Sequence, residues 1–290
     1  MPADVTAFFH KGTRTATYVV AEPNGRHCAV MDPVLDYDAR SGCTSTATAD
    51  KVIDFVRERG LVVDWILETH AHADHLTASF HIQKEVGGRI AIGEHIKDVQ
   101  ATFKKLFNLE DDFATDGSQF DQLFSDGERF KIGEMETQIM YTPGHTPACI
   151  TYVMGDTAFV GDTLFMPDSG TARTDFPGGD AATLYRSIKR ILTLPAETHL
   201  FMCHDYAPGK RDFAWETTVA EERADNKHVH DGVSEEEFVK TRTERDNILD
   251  VPALIIPSLQ VNIRAGCFPT PDDNGVSYLR VPLNMLKSLT

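Results

Sequence analysis

The 290-residue chain has no apolar run that approaches the roughly 20 residues a helix needs to cross a bilayer, so no membrane span is expected. Its first ten residues lack the basic start and apolar core of a signal peptide. The five cysteines are scattered and include no Cys-x-x-Cys pair, a pattern that favours reduced thiols over a disulfide framework. Together these absences predict a cytoplasmic protein.

Basic side chains are scarce, because 28 Lys and Arg stand against 44 Asp and Glu and give a net charge of −16. A surface this acidic repels nucleic-acid backbones and anionic membranes. The basic residues cluster only in short pairs such as Lys104-Lys105 and Lys210-Arg211. We therefore expect no nucleic-acid partner, and a small-molecule substrate that is attracted by local rather than overall charge.

The apolar residues form two rounds of short strands followed by helices. Alternating or continuous apolar runs predict strands at 17–21, 27–31, 61–67, 138–141, 149–154, 157–160 and 199–203. Helical spacing of apolar residues predicts helices at 50–59, 74–86 and 181–194. Two such rounds imply an α/β sandwich rather than an all-β protein.

The pattern changes after His204. Segments 215–227 and 234–249 are predicted to be exposed, charged helices, and the Pro- and Gly-rich tail from residue 251 is predicted to lie over the body of the protein. We therefore expect a catalytic core in residues 1–210. Residues 211–290 are predicted to pack on it as C-terminal helices and a tail, forming one continuous domain.

A dense group of metal-binding side chains follows the predicted strand at 61–67. His70, His72, Asp74 and His75 lie within six residues, in a loop between a strand and a helix, where functional groups are commonly placed. An extended His-x-His segment aims both imidazoles at one point, and Asp74 and His75 add an oxygen and a nitrogen donor. Asp74 also suits a helix N-cap. The full set predicts a site for zinc, iron, manganese or nickel.

Three more candidate ligands lie at predicted strand ends. His145 is in the turn between two strands, Asp162 follows the strand ending at residue 160, and His204 follows the strand ending at residue 203. A lone histidine at such a place is usually structural. Since the strand ends of a sandwich converge, we expect all three to join the first motif at one metal site.

The series His-x-His-x-Asp-His, Gly-His145, Gly-Asp162 and His204 spans positions 70 to 204 and resembles that of the metallo-β-lactamase superfamily. The resemblance implies an αβ/βα sandwich of the metallo-β-lactamase fold, with the metal site along one edge. Members of the superfamily hydrolyse β-lactams, thioesters, lactones and phosphodiesters, and some carry out redox chemistry. The motif alone therefore does not choose the reaction.

A narrower resemblance bears on the reaction. Segments 69–78, 141–147, 159–164 and 204–206 look like those of the persulfide dioxygenases, also called sulfur dioxygenases. The block Arg173-Thr-Asp-Phe176 is the most telling, because it lies between metal ligands and has no role in the generic site. The tail at 257–266 resembles that of the longer bacterial members of this family.

The dioxygenase resemblance implies an Fe(II) enzyme, with one iron per subunit, that oxidises glutathione persulfide with O2 to sulfite and glutathione. Its catalytic residues and iron ligands would be His70, His145 and Asp162, which leave three iron positions open for substrate and O2. The other candidates would orient ligands and water around the iron: His72, Asp74, His75 and His204.

The resemblance also suggests substrate-binding residues. Arg173 would attract a glutathione carboxylate and so supply the local positive charge that the surface lacks. Tyr206 would contact the peptide part of the substrate. Each has a structural alternative, since Arg173 also suits an ion pair with Asp175 or Asp205, and Tyr206 suits a core position. The resemblance also suggests a homodimer as a possible oligomeric state.

The main competing enzyme is a dinuclear zinc hydrolase of glutathione thioesters, resembling glyoxalase II. The same seven residues could hold two zinc ions, with Asp162 bridging, and activate hydroxide. The Arg173–Phe176 block and the lack of a clear basic cluster after Asp231 favour the dioxygenase. A non-catalytic sensor is disfavoured because every expected ligand is present. A nucleic-acid-processing member is disfavoured by the charge and by the lack of an inserted domain.

Overall fold

The computed structural model describes residues 3–286. Two six-stranded β-sheets face each other, and helices cover the outer face of each sheet. This arrangement is the αβ/βα sandwich that the sequence predicts.

The first sheet combines an antiparallel edge with four parallel strands. In spatial order its strands are β1 (Asp4–His10), β2 (Thr15–Ala21), β3 (His27–Met31), β6 (Val62–Leu67), β8 (Arg89–Gly93) and β9 (Gln122–Phe124). The strands from β3 to β9 pair in parallel, and parallel neighbours need crossover connections. Helices supply these crossovers: α1 (Ala47–Glu58), α2 (Ser79–Val86) and α3 (Ile96–Phe107).

The second sheet also mixes parallel and antiparallel strands, and it has more antiparallel pairs than the first. In spatial order its strands are β10 (Arg129–Ile132), β11 (Met135–Tyr141), β12 (Ile150–Met154), β13 (Thr157–Phe159), β14 (His199–Phe201) and β15 (Glu216–Thr218). The parallel pair β13–β14 is joined by α4 (Ala181–Ile191). The Asp180 carboxylate caps α4 by accepting a hydrogen bond from the Thr183 N–H.

Smaller elements complete the chain. A three-stranded sheet contains β5 (Cys43–Ser45), β4 (Val34–Asp38) and β7 (Leu76–Thr77). The C-terminal part adds a short 3-10 turn at Pro208–Lys210, followed by α5 (Val219–Asp225), α6 (Glu235–Asn247) and α7 (Ile255–Asn262). Helix α6 packs on α4, and α7 packs against β7 and α3.

Three apolar layers hold the sandwich together. Tyr18 and Tyr152 are fully buried between the two sheets. Phe103 lies in the layer beneath the helices of the first sheet, and Leu184 and Phe238 lie beneath those of the second. Each large apolar side chain contributes about 1.5–3 kcal/mol on burial. The strand ends that carry the candidate site therefore extend from a tightly packed body.

The predicted helix at 74–86 is wrong in its first turn, because α2 begins only at Ser79. Leu76 and Thr77 instead form β7, which pairs with β4. The Thr77 N–H, which would be unsatisfied in a loop, donates to the Asn262 side chain at 2.8 Å. The preceding residues form an irregular loop with bends at 73–75, and its side chains lie at the edge of the sandwich.

The predicted helix at 215–227 is also wrong at its start. Residues 216–218 form the edge strand β15, and α5 begins at Val219, with a reciprocal capping box between Thr218 and Glu221. The tail from residue 251 contains the buried helix α7, which the Pro- and Gly-rich composition did not reveal.

The remaining predicted strands and helices are present, with ends that differ by a few residues from the predicted ones. The ends of helices and strands are the least sharply defined part of such elements. The sequence pattern did not predict β1, β4, β5, β8, β9, β10 or α3. No helix in residues 3–286 combines the length and apolar character of a bilayer-crossing segment.

Candidate metal centre

The predicted ligands come together at one edge of the sandwich, where strand ends from both sheets meet. The segment His70 to His75 follows β6 of the first sheet. In the second sheet, His145 lies between β11 and β12, Asp162 follows β13, and His204 follows β14. Rigid strands end beside each loop, so the side chains are positioned before any ligand binds.

Three of these residues form one compact group. The donor atoms of His70, His145 and Asp162 lie within 4.8 Å of one another. Asp162 Oδ2 is 3.9 Å from Nε2 of His70 and 3.7 Å from Nε2 of His145. All three residues are buried. Two imidazoles and one carboxylate therefore face a common point.

A second group contains the other four candidates, His72, Asp74, His75 and His204, whose donor atoms also lie within 4.8 Å of one another. Asp74 Oδ2 is 3.3 Å from Nε2 of His204 and 3.5 Å from Nδ1 of His75. Asp162 lies between the groups, because its other oxygen, Oδ1, is 3.4 Å from Nε2 of His204. The residues can hold one ion at the first group, or two ions with Asp162 between them.

Asp32, directly after β3, orients the first two histidines. Nε2 of His72 donates to Asp32 Oδ1 at 2.9 Å, and the Thr69 hydroxyl donates to Asp32 Oδ2 at 2.9 Å. The same hydroxyl accepts from Nδ1 of His70 at 3.0 Å. One nitrogen of each ring is thereby anchored, which leaves Nε2 of His70 and Nδ1 of His72 to face the cluster.

Backbone carbonyls anchor two further imidazoles. Nδ1 of His145 donates to the carbonyl of Arg173 at 2.8 Å, and Nδ1 of His204 donates to the carbonyl of Arg14 at 3.2 Å. Arg14 has a φ of 60°, which is uncommon for a residue other than glycine. This conformation lets the Arg14 carbonyl also accept from the N–H of Asp205 at 3.2 Å. The backbone is thus shaped to hold His204.

The free side of the cluster is short of hydrogen-bond partners. An unsatisfied buried polar atom costs about 1–3 kcal/mol, so several adjacent ones call for a shared partner. Each such atom in the cluster, once it carries no proton, has a lone pair that suits a metal ion, and the cluster is therefore a metal-binding site. Five buried atoms of the cluster have no hydrogen-bond partner among residues 3–286: Nε2 of His70, Nδ1 of His72, Nε2 of His75, Oδ1 of Asp162 and Nε2 of His204.

Two glycines allow the ligand loops to approach their neighbours. Gly144 has a φ of 134°, and a Cβ there would lie 2.3 Å from the backbone nitrogen of Leu184 in α4. Gly161 has a φ of 53°, and a Cβ there would lie 2.6 Å from the hydroxyl of Thr69. The Gly-His and Gly-Asp pairs in the sequence are therefore steric requirements of the site.

Burial and the two carboxylates set the protonation of the cluster. Burial lowers the pKa of His70 well below its usual value and lowers that of His75 to about 4. For His204 burial also acts to lower the pKa, but the charges of Asp162 and Asp74 outweigh it and raise the pKa well above its usual value. His70 and His75 thus offer neutral imidazoles, whereas metal binding must displace a proton from His204.

The two predicted substrate residues line the same cleft, but one side chain is held by hydrogen bonds and the other is exposed. Nε and Nη2 of Arg173 donate to the Asp175 carboxylate at 2.5 and 2.6 Å, and Nη1 donates to the Asp250 carbonyl at 2.7 Å. Tyr206 is 44% exposed, and its ring stacks on His204 with centroids 6.0 Å apart. The Arg173 guanidinium is therefore held by Asp175, whereas Tyr206 lies at the cleft surface and not in the core.

A cleft of about 520 Å³ opens above the cluster. His145 and Asp162 lie at its floor, and Tyr206 lines one side. Residues of the C-terminal turn of α6 and of segment 249–254 also line the cleft, and we call this part of the chain the C-terminal wall. The volume lies within the ~300–1,000 Å³ range of small-molecule sites.

Asn262, at the end of α7, is a site residue that the sequence analysis missed. Its buried side-chain NH2 donates to the carbonyls of His72 and His75, both at 2.8 Å. Its Oδ1 accepts from the Thr77 N–H. One side chain therefore fixes the backbone of the whole histidine loop. No local pattern in the sequence marks this asparagine, because its partners lie far away along the chain.

Asp32 and Glu68 were also missed, although each directly follows a strand, β3 and β6 respectively. Glu68 is buried and accepts hydrogen bonds from the hydroxyls of Thr77 and Ser79. Its Oε2 lies 3.4 Å from Nε2 of His72. An acidic residue at the end of an apolar strand was the available signal for both.

The fold and this cluster define a metal-dependent enzyme class, and the comparisons with known proteins agree. The chain belongs to the metallo-beta-lactamase superfamily, whose model matches residues 11–204. The matched region contains all seven predicted metal ligands, and the predicted fold class is confirmed.

Individual relatives carry different names. A Burkholderia pseudomallei (strain 1710b) protein named Probable metallo-hydrolase is 52% identical over 97% of this chain and 99% of its own length. Glyoxylase B2 of Dictyostelium discoideum is 50% identical over 98% of each chain. The human mitochondrial persulfide dioxygenase ETHE1 is 31% identical over 91% of this chain and 89% of its own length.

Among solved structures, ETHE1 from Myxococcus xanthus is similar to this chain with a TM-score of 0.72 and 29% identity. The similarity covers 91% of this chain and all of that one. It therefore extends beyond residues 11–204 and includes most of the C-terminal part.

Proposed function

We propose that this protein is an Fe(II)-dependent persulfide dioxygenase that oxidises glutathione persulfide. In this reaction the sulfur–sulfur bond breaks, glutathione leaves as the thiol, and the outer sulfur becomes sulfite. One O2 and one water supply the three oxygens of sulfite, and the four electrons taken from sulfur reduce the O2. The observation that carries the proposal is the compact group of His70, His145 and Asp162.

These three residues present two imidazole nitrogens and one carboxylate oxygen to one point. Fe(II) held by this set would supply open positions at which a persulfide sulfur and O2 can both bind. His145 and Asp162 also line the cleft. A sulfur atom entering from the cleft therefore reaches the metal-binding face without displacing protein.

The second group of donors can be satisfied without a second metal. Nε2 of His204 lies 3.3 Å from Asp74 Oδ2, an opposite charge once His204 is protonated. His72 forms its hydrogen bond with the buried carboxylate of Asp32. In the proposed enzyme these residues orient water and ligands around a single iron.

The Arg173–Phe176 block surrounds His145. The Arg173 carbonyl accepts from His145, and the Phe176 ring lies 6.0 Å from the His145 ring. Thr174 donates its N–H and hydroxyl to Asp246 of α6 at 2.8 and 2.9 Å. The block that the sequence associates with persulfide dioxygenases thus supports one of the three iron ligands, which favours this reaction.

Similarity to named proteins adds support. The persulfide dioxygenase relative and the ETHE1 structure each align with about nine-tenths of this chain. In our proposal Tyr206, exposed at the cleft and stacked on His204, contacts the peptide part of the substrate. Arg173 contributes through its carbonyl, which accepts the hydrogen bond from His145, while its guanidinium is paired with Asp175.

A second candidate is a dinuclear zinc hydrolase of glutathione thioesters. The position of Asp162, with one oxygen toward each donor group, suits a bridging ligand. The relative named Glyoxylase B2 is 50% identical, more than the persulfide dioxygenase. In this enzyme the residues of both groups would hold zinc and position hydroxide for thioester attack.

The deciding experiment measures O2 consumption by protein reconstituted anaerobically with Fe(II) and then given glutathione persulfide. Sulfite is quantified in the same samples, and zinc-loaded protein serves as the control. Both metal forms are also tested with a glutathione thioester.

We expect O2 uptake with an equal amount of sulfite in the iron form and neither in the zinc form. If the iron form consumes no O2 and the zinc form cleaves the thioester, the protein is the hydrolase. Thioester cleavage by both forms without sulfite release would likewise reject the dioxygenase.

A further inference from the structure

Three arginines line the cleft above the metal site: Arg173, Arg242 and Arg245. The first two are each neutralised by an aspartate of their own. Arg173 pairs with Asp175 at 2.5 Å, and Arg242 donates Nε and Nη2 to Asp246 Oδ1 at 3.0 and 2.7 Å. These two guanidinium groups therefore already form ion pairs within the protein.

Arg245 differs from both. It lies in the last turn of α6, and it is exposed. Within the described residues, 3–286, its guanidinium makes neither an ion pair nor a hydrogen bond, while its neighbour Arg242 makes both. In a chain with 44 acidic and 28 basic side chains, an uncompensated guanidinium at the metal cleft is unexpected for a surface that only needs to be solvated.

The geometry of the cleft indicates what this group meets. A substrate whose sulfur reaches the floor at His145 and Asp162 must leave its other end near the cleft walls. The cleft volume of about 520 Å³ suits a ligand of tripeptide size better than a bare inorganic sulfur anion. The planar fork of a guanidinium matches a carboxylate with two parallel hydrogen bonds.

We propose that Arg245 is a specificity-determining residue that binds a carboxylate of the substrate at the C-terminal wall. This inference rests on the proposed function for the identity of the substrate, a glutathione derivative with its sulfur at the metal. It is independent of the reaction, because a persulfide and a thioester of glutathione carry the same carboxylates. Arg245 supplies the local positive charge that an acidic protein needs to capture an anionic substrate.

The test compares Arg245→Gln and Arg245→Lys with the matched variant Lys240→Gln. Lys240 is exposed on the same helix and does not line the cleft, so its substitution removes the same charge elsewhere. Each protein is assayed with glutathione persulfide and with the persulfide of glutathione diethyl ester, whose carboxylates are blocked.

We expect Arg245→Gln to raise the KM for glutathione persulfide roughly tenfold, since a charge-assisted hydrogen bond is lost, while kcat changes less than about twofold. The diethyl ester should show no such rise. Arg245→Lys should fall between wild type and Arg245→Gln, because it keeps the charge but not the fork. Lys240→Gln should leave both substrates unchanged.

A second measurement separates this inference from the proposed reaction. The Kd of S-methylglutathione is measured by calorimetry with wild type and Arg245→Gln, and again with the diethyl ester of the ligand. Weaker binding of the free acid alone supports the carboxylate contact even if no persulfide is oxidised.

A different result would show that Arg245 only stabilises the C-terminal end of α6. In that case Arg245→Gln lowers the melting temperature but alters neither the KM nor the Kd, or alters both substrates equally. Either outcome overturns the proposal.

Discussion

The metal cluster and the C-terminal wall of the cleft differ in burial and in the elements that carry their residues. The cluster places its histidines and Asp162 at strand ends of two sheets, and these side chains are nearly inaccessible to solvent. The wall consists of one turn of α6 and residues 249–254, most of which are exposed or half-buried, and it lies outside the segment matched by the superfamily model.

In our proposals, the cluster carries out the chemistry and the wall selects the substrate. A buried cluster needs every ligand oriented by a neighbour, as Asp32 orients His72 and the Arg173 carbonyl orients His145. An exposed wall can change a side chain such as Arg245 at little cost in stability, because surface substitutions are usually worth less than about 0.5 kcal/mol. Under our proposal for Arg245, the wall is therefore the part of the protein where substrate specificity can vary while the metal site stays constant.

Asn262 joins the two regions, since it belongs to the C-terminal part but holds the backbone of the histidine loop. The C-terminal part is therefore not wholly independent of the metal cluster. Helix α7 supports the cluster, whereas Arg245 lies only in the wall. The following substitutions test this difference, beginning with the largest expected effect.

Substitution of His145 by Ala should abolish metal loading and turnover in either proposed enzyme. One of the three donors of the first group is lost, and we expect the activity to fall on the order of a thousandfold or more. Metal content by elemental analysis and turnover are measured together. His230→Ala, at an exposed histidine of the same protein, is the control, and full activity in His145→Ala would refute the assignment of the site.

Substitution of Asn262 by Ala should weaken the metal site from a distance. It leaves two buried carbonyls and one N–H without their partner, which costs about 2–4 kcal/mol in the free energy of unfolding. Because the histidine loop loses its support, the metal affinity should fall about 10–100-fold. Denaturant unfolding and competition with a chelator measure the two effects.

The exposed Asn274→Ala is the control for this substitution. An Asn262→Ala protein that loses stability but binds metal with unchanged affinity would show that α7 serves only the fold.

The smallest effect concerns His228, which lies beside the wall. Burial, followed by the charges of Arg242, Lys227 and Arg245, lowers its pKa to about 3, and its Nδ1 accepts a hydrogen bond from the Thr171 N–H at 3.1 Å. Between pH 6.5 and 3 the unfolded chain therefore binds more protons at this residue than the folded protein. Stability should fall as the pH decreases through this range.

Substitution of His228 by Gln should remove this contribution. After allowance for its partial exposure, we expect the loss of unfolding free energy between pH 7 and pH 5 to be about 1 kcal/mol smaller in the variant. Denaturant unfolding at each pH measures the difference. Parallel curves for wild type and variant would mean that His228 does not contribute to the acid sensitivity.

Much of the fold and the metal cluster was accessible from local patterns. Apolar runs such as 27–31 predicted strands with the bounds that the structure has, because a strand buried on both faces selects apolar residues continuously. The seven candidate ligands lie together because the strand ends that precede them meet at one edge of the sandwich, as the sequence pattern predicted. The start of the helix after His75 was predicted wrongly, since the contacts that keep it extended come from β4 and Asn262.

By itself, the sequence determined the class of fold, the set of candidate metal ligands and the family resemblance, because each depends on residue type and spacing within short segments. Only the tertiary structure decided which partners orient each candidate ligand and which cleft arginine has no ion-pair partner among residues 3–286. Arg173, Arg242 and Arg245 are chemically identical side chains. Their difference arises from the aspartates that the fold places beside the first two and not the third, and ion pairing depends on distances that the chain sets only after it has folded.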